Sequence, residues 1–226
     1  MSESLPSPVA TATTVIRVLY AELLTIVVAS LLTAVASLPL VTVGPAILAA
    51  VEVLTAVVTR RDTGAPPTER GRVRLFVEAF RRNLKTGLPF SLLLLSVGGV
   101  TAFYYVVGTA RNDGGLLLLA LLGAYGVVGA LAVTLRVGSF RARTSPPPSA
   151  VRALRLTRQS LTEYASYTVL WLVSLAGLLV VASYVPVTVP MLLAGVLGVI
   201  EVVAFEAVVG DGAAAVAPDT DADVES

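Results

Sequence analysis

Cysteine and histidine are absent from the 226 residues, and Lys85 is the only lysine. Without thiols there is no disulfide framework, no thiolate metal site and no thiol nucleophile. Without imidazole there is no histidine-ligated zinc or haem and no histidine general base. These two absences remove most readings as an intramembrane protease or a metalloenzyme. Charge is also scarce, at 14% of residues, where a soluble domain carries about a quarter. No paired Asp/Glu motif suited to acid–base work is evident. The expectation is therefore a protein that is not an enzyme and needs no cofactor, catalytic residue or metal site.

What the chain does have is apolar sequence in long runs: 56% of residues are hydrophobic and the mean hydropathy is +0.86. Six blocks stand out, at about 18–38, 40–59, 88–107, 116–135, 167–185 and 187–209. Crossing a hydrocarbon core takes about 20 helical residues. In lipid the backbone must satisfy its own hydrogen bonds, which makes each block a helix. The runs are too continuous for the alternating strands of a barrel. The expected fold is all-α, a bundle of six transmembrane helices over 16–209. A flexible N-terminus (1–15) precedes it, and a disordered acidic tail (210–226) follows. A cleavable leader is not expected. Ala34-Val35-Ala36 looks like a cleavage site, but the apolar stretch before it is too long and contains Glu22.

The basic residues set a threading. Of sixteen, eight lie in 60–87 and six in 136–158. The connections at 37–45, 108–115 and 184–190 hold only Arg111. Placing the two basic segments in the cytoplasm satisfies the positive-inside rule and, with six helices, puts both termini inside a cell membrane. The two prolines and the glycine of SLPLVTVGPAILAA (37–50) then fall at an outer turn, where breaking a helix costs little.

Two groups of side chains are candidates for function. In RVRLFVEAFRRNLKTGL (72–88) apolar positions recur at three- and four-residue steps, giving a basic amphipathic surface helix before helix three. Phe76, Phe80, Arg81, Arg82, Asn83 and Lys85 are its candidate contact residues, either for anionic lipid of the inner leaflet or for a membrane-protein partner. No nucleic-acid partner is expected. The second group is Glu22, Glu52 and Glu201, each about 7–12 Å below the cytoplasmic interface at 1.5 Å per residue. Ionisable groups in spans are costly and point to function. Two other readings stand beside a cation, proton or solute site. In one the glutamates pair with arginines at the inner helix ends, with Arg17 and Arg136 in reach; in the other they stay protonated and hydrogen-bonded to Thr25 or Thr55. Glu206 reads as the end of helix six.

The segments SLPLVTVGPAILA (37–49) and FVEAFRRNLKTGL (76–88) together resemble the YesL-like family of small polytopic membrane proteins, a family of unknown function. The matching positions are Pro39, Thr42, Gly44 and Pro45 in the turn, then Phe76, Phe80, Asn83 and Lys85. The likeness covers roughly 15–105. Glu52 and the extra charge of Arg81 and Arg82 depart from the pattern. The resemblance implies a polytopic membrane protein of a kind often encoded near carbohydrate uptake systems; with the absence of catalytic constellations and the basic cytoplasmic surface, the expected role is that of a non-catalytic accessory or regulatory component. The alternative is a small-solute or ion transporter using the intramembrane carboxylates.

Overall fold

The computed structural model describes residues 8–59, 68–144, 146–163, 165–184 and 192–209. Among these residues there are eight helices and no strand: α1 (Pro8–Ala21), α2 (Leu23–Ala36), α3 (Val43–Val58), α4 (Glu69–Arg111), α5 (Gly114–Arg143), α6 (Ala150–Glu163), α7 (Ala165–Tyr184) and α8 (Ala194–Val208). The all-α class read from the sequence is thus present. Two helices, α4 and α5, are long and apolar enough to cross a membrane, and up to four spans result if each bent helix pair counts as one. With 16 and 15 residues, α3 and α8 fall short of the roughly 20 that a full crossing needs. The expected tail, 210–226, and the turn before α8 lie outside the described residues.

Three boundaries differ from the sequence reading. The flexible N-terminus expected for 1–15 overlaps α1, which is helical from Pro8. The first apolar block is not one straight helix, because α1 and α2 meet at an angle of 82°. The break falls at Glu22, whose backbone leaves the helical region at φ −111° and ψ 24°. The third difference is the surface helix: 72–87 does not turn into the next span but is the first part of α4, which runs unbroken for 43 residues, about 65 Å. Pro89 sits inside this helix without ending it.

The turn at 37–42 matches its sequence reading as a break between two helices. Leu40 takes the left-handed region at φ 41°. Thr42 donates its hydroxyl to the Ala36 carbonyl. Pro45 lies in the first turn of α3, where a missing N–H costs nothing. Gly44 is required for close approach. Its N–H donates to Ser91 Oγ at 2.8 Å, and a Cβ there would lie 2.7 Å from the Ser91 backbone nitrogen.

That contact fixes the level of α3 against α4. Ala49, Ala50, Val53 and Val57 of α3 pack on Phe76 and Ala79, so the whole of α3 lies beside the first half of α4. Beyond Ser91, α4 runs against α5. Thr101 faces Gly123, Val97 faces Gly126, and Leu117 faces Gly108. At the tip Asn112 caps α4 in the left-handed conformation, and Asp113 accepts from the Gly115 and Leu116 N–H groups to start α5. Over 92–111 and 114–129 only Gly108 and Ala120 are buried. The main core lies at the other end of this hairpin. There α2, α3, α5, α7 and α8 bring together Ile26, Val51, Leu54, Leu135, Leu175, Leu197 and Val203.

Candidate functional site

Each glutamate of the apolar segments lies at an arginine of α4 or α5. At the α1–α2 elbow Glu22 accepts from Thr25 Oγ1 at 2.7 Å, and Arg72 of α4 lies 3.9 Å away. On α3, Glu52 pairs with Arg82 and accepts from Asn83 Nδ2 at 2.8 Å. On α8, Glu201 has Arg136 Nε at 3.1 Å and accepts from Ser139 Oγ at 3.0 Å. One turn further, Glu206 pairs with Arg143. Arg141 joins the two halves of this belt. Its Nε donates to Asn83 Oδ1 at 3.2 Å, and its Nη1 donates to the Pro148 carbonyl.

Burial divides the belt. Glu201 and Glu206 are both fully buried, while Glu22 and Glu52 keep 23% of their side-chain surface. Burying a charge without a partner costs several kcal/mol, so the inner pair needs its arginines. Aromatic rings complete the enclosure. The Arg136 guanidinium lies 4.9 Å from the Trp171 ring centre and 5.5 Å from that of Phe205. Arg143 lies 5.6 Å from the same Phe205 ring. Such cation–π contacts strengthen when water is excluded.

The three glutamates singled out in the sequence do not converge on one site. Glu22 and Glu52 are held by α4, and Glu201 by α5. Of the two arginines within expected reach, Arg136 makes its pair and Arg17 is exposed on α1. Glu206, read as a helix end, is instead one of the most buried groups. Arg72, Arg141, Arg143 and Ser139 are the members that sequence reasoning missed. For Arg141 and Arg143 the signal was the cluster of arginines immediately after the fourth apolar block, of which only Arg136 was read as a pairing partner.

The residues read as a contact surface divide between an inward and an exposed side of α4. Phe76 and Asn83 are 3% and 2% exposed, because this side of α4 is the one that carries α3. Phe80 is half-buried, stacked with Phe76 at a centroid distance of 6.4 Å. Arg81, Arg82 and Lys85 are exposed. Pro39 is exposed, and Thr42, Gly44 and Pro45 serve the α2–α3 turn.

A polar cavity of about 240 Å³ opens beside Glu52, lined also by Arg82, Asn83, Arg141, Thr144 and Pro147. A cation entering it would compete with Arg82 for the Glu52 carboxylate and meet the second positive charge of Arg141. Among the described residues no group of three or more carboxylates could hold a metal ion. The belt's chemistry is that of ion pairing and hydrogen bonding between helices. Fold and site together define a helical protein with two helices long and apolar enough to cross a membrane and a charged belt at one end. Compared with protein-family models, curated proteins and solved structures, the chain matches none of them.

Proposed function

We propose that this chain is a multi-pass membrane protein with a non-catalytic accessory or regulatory role, the glutamates of its apolar segments fastening helices together. The observation that carries this reading is that Glu22, Glu52, Glu201 and Glu206 each have an arginine of the same chain as partner. A transport site needs a carboxylate able to exchange its partner, and a catalytic one needs a carboxylate facing substrate. The resemblance to YesL-like proteins supports the same role and adds the link to carbohydrate uptake.

For threading, we read the basic end of the α4–α5 hairpin as cytoplasmic and its tip as outside. The segments 60–87 and 136–158 then share a side. The apolar pairs α2–α3 and α7–α8 each enter from and return to the cytoplasmic side, so both termini lie in the cytoplasm, with six crossings if each pair traverses the bilayer fully. The short helices α3 and α8 fit such crossings only with a thinned or partly shielded bilayer around them.

Two experiments separate the readings. In vesicles holding only this protein, proton and sugar flux should equal that of empty vesicles. A protein-dependent flux lost in Glu52→Gln or Glu201→Gln would favour the transporter using Glu22, Glu52 and Glu201. For the accessory role, purification in mild detergent should recover a membrane partner. The charge reversals Arg81→Glu and Lys85→Glu, on exposed positions outside the ion pairs, should release it while leaving the fold intact.

A further inference from the structure

The polar face of α6 takes no part in the ion-pair belt. On a helix of 3.6 residues per turn, Arg152, Arg155 and Arg158 form a row in which each step advances by about 60°. All three are exposed. The row lies opposite the face made by Ala153, Thr157 and Ser160, which is buried. Ala153 holds α6 to the bundle by packing with Leu48, Phe90 and Val137, and the Arg141 bond to Pro148 fixes the chain just before it. Along one flank of the arginine row runs an apolar edge, with Val151 73% and Leu154 47% exposed. Glu163, the only carboxylate of α6, sits at its far end. The following apolar helix leaves at 106°. If α7 runs across the bilayer, α6 therefore lies in the bilayer plane.

We propose that α6 rests on the cytoplasmic bilayer surface and binds phosphate-bearing anionic lipid headgroups through Arg152, Arg155 and Arg158, with Val151 and Leu154 dipping beneath them. A basic row beside an exposed apolar edge is the pattern of an interfacial helix, and each arginine near an anionic surface adds attraction. The inference rests on the membrane placement proposed above. It assigns the lipid contact to α6, whereas the sequence pattern suggested 72–87, a segment whose aromatic face is covered by α3.

The chain has no cysteine, so Leu154→Cys carrying a polarity-sensitive fluorophore reports on this edge alone in the full-length protein. In phosphatidylcholine vesicles the emission should be water-like. Adding phosphatidylglycerol should shift it to the blue, and high salt should reverse the shift. Arg-to-Gln changes should lower the docked-to-undocked ratio about fivefold for each arginine removed at low salt. The triple Arg-to-Lys variant should keep the shift and so guards against a folding defect. Emission indifferent to phosphatidylglycerol would overturn the proposal. So would a shift that survives in the triple Arg-to-Gln variant, which would move the anion contact to α4. A water-like signal in every vesicle that shifts only with an acidic protein would also overturn it. Failure of the membrane placement itself would show separately, as altered labelling at the hairpin tip.

Discussion

Glu201 and Arg136 bury opposite charges at the same point, and the consequence of losing one is not the mirror of losing both. Removing one partner of a buried pair leaves an uncompensated charge and costs about 3–5 kcal/mol, whereas replacing both by apolar groups is often neutral. Glu201→Leu should therefore lower the unfolding midpoint in detergent sharply, and the double change Glu201→Leu with Arg136→Met should recover most of the loss. Additive losses in the double variant would mean that the pair is not a unit. Asn83 gives a second test. As a lipid-facing residue it would tolerate leucine. In the structure it bridges Glu52 and Arg141, so Asn83→Leu should cost about 1–3 kcal/mol by stranding both partners. The same melting measurement decides. That these glutamates interrupt long apolar runs was legible in the sequence. Their partners were not, since Ser139 and Glu201 are 62 positions apart and periodicity carries no information on such pairs.

The elements were legible where local chemistry decides them and illegible where tertiary contact does. Pro39, Gly44 and Pro45 announce a helix break, and the break is there. The three- and four-residue steps in 72–88 announce a helix with one apolar face, and that helix is there too. What the apolar face meets is set by α3, which the pattern cannot name. The bend at Glu22 had no glycine or proline to mark it; a carboxylate satisfied by Thr25 and Arg72 stands there instead. The α3–α4 contact makes a prediction at this scale. A Cβ at Gly44 would press into the backbone of Gly87 and Ser91, whereas one at Gly98 or Gly129 would meet nothing within 4 Å. Gly44→Ala should push the helices apart and cost about 1–3 kcal/mol. Gly98→Ala and Gly129→Ala should be neutral or stabilise by up to about 1 kcal/mol through helix propensity. Equal melting of all three variants would mean that α3 does not seat on α4 as described.

At the scale of the whole molecule the two ends of the α4–α5 hairpin have opposite characters. The distal part has no charged residue between Lys85 and Arg111, nor between Asp113 and Arg136. Its 20 residues beyond Ser91 extend about 30 Å, the thickness of a hydrocarbon core. The proximal part carries Arg72, Arg82, Arg136, Arg141 and Arg143 and holds every other helix that bears a glutamate. An apolar rod of membrane thickness joined to a charged base fits the insertion from the cytoplasmic face proposed above. The sequence showed the apolar runs and the basic segments but aligned all six runs at one level, because hydropathy counts length and not register between helices. Cysteine accessibility tests the insertion most directly. Asn112 and Gln159 are both exposed, whereas Ser139, buried against Glu201, would be shielded on either side of the membrane. In intact cells a membrane-impermeant thiol reagent should label Asn112→Cys and leave Gln159→Cys unlabelled until the cells are opened. Labelling of Gln159→Cys in intact cells, with Asn112→Cys protected, would contradict the account.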